Sequence, residues 1–130
     1  MADGLSAVNL ANAWLNVFKT VTFTGISTTY VQLHTGPPGA SGTSNVSSVT
    51  TRMLVTFGTP SGGAMAESNT PTWSSWAGTN GEIVTDISVW SASTSGTFYF
   101  SVQLSASATM TTGATLQITS FTFSLSPIAA

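Results

Sequence analysis

The sequence has very little charge. Of 130 residues only 5% are charged, two basic (Lys19 and Arg52) and four acidic, for a net charge of −2, where an ordinary soluble domain has about 25%. Two cations cannot neutralise a phosphate backbone, so nucleic acid is not an expected partner. The same scarcity removes repulsion between identical copies and suits a repetitive assembly. Cysteine is absent, which excludes disulfides and thiolate metal sites and leaves the redox compartment unmarked. No apolar run approaches the roughly 20 residues of a membrane span. Met1-Ala2-Asp3-Gly4 is acidic and lacks the basic and apolar regions of a signal peptide. The expectation is synthesis in a cytoplasm without export.

Groups able to do acid–base chemistry are equally scarce: His34, Asp3, Glu67, Glu82 and Asp86. His34, Asp86 and any of many serines could be assembled into a triad, but no G-x-S-x-G elbow marks a nucleophile. The expected role of His34 is a strand-end histidine bonded to loop backbone. Glu82 and Asp86 on one regular strand lie about 13 Å apart, too far to share a proton or one metal. They read as solvated carboxylates, the alternative being a calcium site completed by loop carbonyls. No catalytic residue, cofactor or metal is assigned.

What the chain does have is hydroxyl and apolar side chains. Serine and threonine make up roughly a third of it, a composition that suits the wet face of strands and is disfavoured in helices. With 42% hydrophobic residues and a mean hydropathy of +0.30, it should fold as one domain, 1–130. Alternation over Ile83–Val89, Phe98–Leu104 and Leu116–Leu125, separated by the hairpin-length stretches Ser93–Gly96, Ser105–Ala108 and Thr111–Gly113, predicts antiparallel pairing. The expected fold is mainly β: an antiparallel sandwich, jelly-roll or immunoglobulin-like, of about six to eight strands over 20–130.

An amphipathic α-helix is expected ahead of it, over 5–18. Leu5, Val8, Ala11 or Asn12, Leu15 and Phe18 form one stripe and Leu10, Trp14 and Val17 a second. Asp3 or Ser6 can cap its start, and Lys19 suits its end. Both stripes can serve the chain's own core. Alternatively one packs on its own sheet and the other, around Trp14, meets a neighbour.

Tyr30–His34 and Arg52–Phe57 alternate as strands, and between them Thr35–Thr51 holds no apolar run. Fixing such a glycine-rich loop costs roughly 1–2 kcal/mol per residue, so it is expected to stay mobile until a neighbouring chain covers it. Arg52, where the loop re-enters the sheet, can clamp loop carbonyls or contact another subunit. Trp73 and Trp76, three apart among Ser, Thr, Pro and Gly, suit a core or an interface, or else a platform for stacking host-surface glycans. The candidate interface residues are Trp14, Pro37, Pro38, Arg52, Trp73 and Trp76.

The segment Leu33-His34-Thr35-Gly36-Pro37-Pro38-Gly39-Ala40-Ser41-Gly42-Thr43-Ser44-Asn45, followed by Thr50-Thr51-Arg52, resembles a family of small virion proteins of siphophages that infect actinobacteria. Ile87-Ser88-Val89-Trp90, Ser95-Gly96-Thr97-Phe98-Tyr99-Phe100 and the Leu116–Leu125 strands are similar to the same family. That family often carries an acidic residue where this chain has Pro37, so a polar loop contact is expected to be missing here. Its members are called minor tail or tail-fibre proteins, and similar β-domains decorate capsids. The resemblance implies a non-enzymatic virion subunit present in many copies, with itself and other virion proteins as partners.

Overall fold

The computed structural model describes residues 3–126, so the ends of the expected 1–130 domain, 1–2 and 127–130, lie outside the described residues. The N-terminal helix is shorter and less regular than its pattern suggests. It opens as a π turn, Ala7–Ala11, continues as α1, Asn12–Asn16, and tightens into a 3-10 turn, Val17–Lys19. Ser6 is the cap, its hydroxyl accepting from the Asn9 N–H at 3.3 Å. Thr20 ends it with a φ of 63°. In the π turn, both Leu10 N–H and Ala11 N–H point at the Ser6 carbonyl.

Eight strands follow among the described residues: β1 (Thr29–His34), β2 (Met53–Val55), β3 (Ala64–Ala66), β4 (Thr72–Trp73), β5 (Glu82–Trp90), β6 (Phe98–Met110), β7 (Leu116–Gln117) and β8 (Thr122–Ser124). The main sheet has the order β2-β1-β5-β6, antiparallel throughout, and the pairs β3–β8 and β4–β7 form two short ribbons. The fold is therefore the expected mainly β, antiparallel sandwich with a helical N-terminal segment.

Register explains the core. Val31 lies opposite Val89 and Leu33 opposite Ile87, and Val89 lies opposite Phe100. Alternation puts these side chains on one face of the sheet, where they meet Trp73, Trp76, Ile118 and Phe121 from the ribbons and their loops, and Leu10 from the helix. Fully burying each such side chain stabilises the fold by about 1.5–3 kcal/mol.

Ser105–Ala108 is not a turn. β6 runs through it as one strand, and the extra residues are taken up as a bulge. From Val84 to Asp86 β5 advances two residues, while its partners on β6, Ala108 and Gln103, are five apart. Small Ser and Ala side chains tolerate a bulge as readily as a turn.

Candidate functional site: a buried polar cluster and an exposed apolar helix face

The second face of the sheet carries Gln32, His34, Asp86, Ser88 and Ser101, at positions that alternate with the core residues. Alternation alone would set this face in water. Instead all five are buried, His34 and Ser88 completely, because two segments cover them. One is the loop between β1 and β2, in which Pro38, Gly39, Gly42 and Ser47 are buried. The other is the N-terminal arm, whose Gly4 carbonyl accepts from Ser101 N–H at 2.9 Å and whose Ser6 N–H donates to the Tyr99 carbonyl at 2.7 Å. The arm thereby extends the sheet at the β6 edge.

The expected mobile loop is thus ordered by its own chain. Backbone bonds run from Thr35 N–H to Asn45, Ser44 N–H to Pro38 and Ser47 N–H to Leu33, at 2.8–3.0 Å. The Asn45 side-chain amide donates to the Pro37 carbonyl at 2.9 Å. The Glu82 carboxylate accepts from the Ser47 hydroxyl and from Ser48 N–H. Burial alone would raise the Glu82 pKa, but these hydrogen bonds outweigh it and hold the carboxyl below its usual range. Gly42 has a φ of +73°, and a Cβ there would lie 2.4 Å from the Phe98 ring. Only glycine lets the loop come this close. The ordering contacts are polar or steric, so an apolar pattern could not reveal them.

At the centre of this face, Nδ1 of His34 lies 2.8 Å from the Ser44 carbonyl and Nε2 lies 2.7 Å from Ser88 Oγ. A carbonyl can only accept, so Nδ1 carries the proton and, in the neutral ring, Nε2 accepts from the Ser88 hydroxyl. Burial lowers the His34 pKa, against the Ser44 carbonyl that favours the charged form, and so keeps the ring neutral. Trp90 Nε1–H donates to the same Ser88 oxygen at 2.7 Å. The Arg52 guanidinium stacks 3.9 Å from the Trp90 ring centroid, with Nε on the Gln32 Oε1 at 3.0 Å and Nη1 on the Ala92 and Ser95 carbonyls. Arg52, Trp90, Ser88, His34 and the loop form one hydrogen-bonded and stacked chain. The Ser88–His34 pair lacks the exposure to solvent that attack on a substrate needs.

Asp86 departs from the expected solvated carboxylate. It is 1% exposed and lies opposite His34 across the β1–β5 ladder. Burial raises its pKa, and the Asp3 carboxyl within hydrogen-bonding reach raises it further, against the lowering contact from the Thr85 hydroxyl. One oxygen of each aspartate is buried without a partner among the described residues. Two carboxyls in contact do not both ionise readily. No three His, Asp or Glu side chains converge among the described residues.

The expected interface residues separate on this structure. Trp73 and Trp76 are each 2% exposed, and their indole N–H groups donate to the Thr51 and Thr79 carbonyls at 2.8 and 3.2 Å. They present no stacking face to a sugar, because tryptophan is the largest available filler for the gap between ribbon and sheet. Within the loop, Pro38 is fully buried and Pro37 half-buried. Arg52 serves as the internal clamp described above.

Trp14 packs edge-on against Phe123, with centroids 5.7 Å apart, and lines an apolar groove of about 480 Å³ with Ile26, Leu54, Phe57 and Met65. The helix therefore turns its Leu10–Trp14 stripe inward. Outward lie Val8, 79% exposed, Leu15, 64%, and Phe18, 90%, together with Val17 of the Trp14 stripe, 52%, while Leu5, 42% exposed, lies ahead of the helix and bridges to Phe100. Trp14 thus packs on the chain's own core, one of the two readings its stripe allowed, where its large surface gains most from burial. The period marked Leu10 and Trp14 as one face; that this face meets the sheet needed the sheet.

The family model described as podophage GP4 fiber I protein gp80 matches residues 5–126, and the chain belongs to that family. It is a bacteriophage structural protein of the fibre type. The match supports the phage structural character that the resemblance implied, in a family described from a podophage and not from a siphophage. No curated protein matches the chain significantly.

Proposed function

We propose that the chain is a non-enzymatic subunit of a tailed-phage particle, present in several copies at the particle surface as part of the tail or its fibres. The carrying observation is the extent of the family match, which spans helix, sheet and both ribbons. The chemistry is in keeping with it. Three titratable groups are consumed in holding the loop and arm: Glu82 binds Ser47 and Ser48, Asp86 meets Asp3, and His34 is closed between Ser44 and Ser88. Its partners are other copies of itself and other virion proteins.

Immunogold labelling of purified particles with antibody to this chain tests the reading. Label on the tail or fibres supports it. Label on the capsid alone makes the protein a decoration subunit, and no label on intact or disrupted particles overturns the virion role.

A further inference from the structure

The N-terminal arm brings two carboxyls together with no cation beside them. Leu5 bridges antiparallel to Phe100, and Gly4 and Ser6 bond to Ser101 and Tyr99. The arm thus runs along the β6 edge and sets the Asp3 carboxyl against that of Asp86. Asp86 is 1% exposed, and one of its oxygens accepts from the Thr85 hydroxyl. Its Oδ1 is buried with no hydrogen-bond partner among the described residues, and so is Oδ1 of Asp3. We propose that a hard divalent cation binds between Asp3 and Asp86 and ties the arm to the sheet.

Three observations support a cation here. The first is the pair of unpartnered oxygens, since a buried carboxylate oxygen left without a donor or counter-ion is strongly destabilising. Oxygen donors of this kind select hard cations, calcium or magnesium.

The second is charge. Lys19 and Arg52 are the only basic side chains. Lys19 ends the helical segment, and Arg52 is engaged on Trp90, Gln32 and Ala92. His34, opposite Asp86 across the ladder, has both ring nitrogens occupied by Ser44 and Ser88. A shared proton would cancel one of the two negative charges, whereas a divalent ion cancels both. Glu82 takes no part, because Ser47 and Ser48 hold it.

The third is space. Asp3 lines a cavity of about 260 Å³ with Gly39, Ala40, Phe98 and Ser101. At about 30 Å³ per water this is room for the several waters that would complete the shell of an ion held by two carboxylates.

The test uses the isolated chain and does not rest on the virion reading. A site with two carboxylates and water belongs to the weak range, with a Kd of about 10⁻⁴–10⁻³ M. The melting temperature of metal-stripped protein at pH 7.5 should therefore rise by about 3 °C or more in about 5 mM CaCl2 or MgCl2. NaCl of equal ionic strength should not raise it. Asp86→Asn keeps the shape and removes the repulsion, so it should fold in chelator and gain nothing from either ion. Glu67→Gln alters an acid outside the pair and should keep the rise. Hydrogen exchange should show the Ser6 and Ser101 amides, which join arm to sheet, at least tenfold better protected with the ion. No rise with either ion would overturn the proposal and leave the contact to a shared proton. An equal rise in Asp86→Asn, or unchanged protection at Ser6 and Ser101, would overturn it too.

Discussion

Ser88 and His34 share a 2.7 Å hydrogen bond between residues that are both 0% exposed, and it joins the middle of the sheet to the loop above it. The hydroxyl donates to His34 Nε2 and accepts from Trp90 Nε1–H. Each of its neighbours depends on it.

Ser88→Ala removes that hydroxyl and leaves an imidazole nitrogen and an indole N–H buried without partners. Each such group costs about 1–3 kcal/mol, so a loss of about 2–4 kcal/mol is expected in urea unfolding. Ser88→Thr keeps the hydroxyl, and its expected loss is smaller. Equal losses for the two would show that packing, not the hydrogen bonds, sets the cost.

His34 ties stability to pH. Its folded pKa lies below the ordinary value of about 6.5, chiefly because of burial. Its contribution is fully present above pH 6.5, where folded and unfolded chains are both neutral. It is lost as pH falls below that value and the unfolded chain takes up a proton the folded chain resists. Melting temperatures measured from pH 7.5 to 5 should fall, and the slope should flatten in His34→Gln.

Asp86 acts with the opposite sign. Its folded pKa is raised, first by burial and then by Asp3. Its contribution is present below the ordinary carboxyl range and is lost as pH rises through the folded value. Asp86→Asn should therefore melt higher than wild type at pH 8, and the gap should close toward pH 4. A gap independent of pH would mean that the carboxyl does not titrate in the fold.

Gly42→Ala meets both a φ of +73° and the Phe98 ring. Strain and overpacking together predict a loss of about 2–4 kcal/mol. Hydrogen exchange should localise it, with Ser44 and Ser47 amides losing protection before those of β5. Uniform loss across the sheet would show that the loop does not open separately.

Much of this protein was legible in its sequence. Alternation in Tyr30–His34, Ile83–Val89 and Phe98–Leu104 marked the strands and the core-facing Val31, Leu33, Ile87 and Val89, because a strand's period is a local property. Of the helix pattern, the inward pair Leu10 and Trp14 was legible for the same reason, whereas Leu5 lies ahead of the helix and Val17 is exposed; the long connection between β1 and β2 was legible too.

Tertiary structure decided what lies on the far side of each pattern. Trp14 went inward and Phe18 outward only once Phe123 and the sheet were in place. Trp73 and Trp76 became core because the β4–β7 ribbon closes over the sheet. Asp86 and Ser88 occupy positions that a local reading places in water, and His34 bonds loop backbone as expected but is fully sealed beneath it. They are buried because a loop rich in Gly, Ser and Thr and a short arm from the chain's start meet over them with hydrogen bonds. Those partners are remote in sequence, so no local period records them.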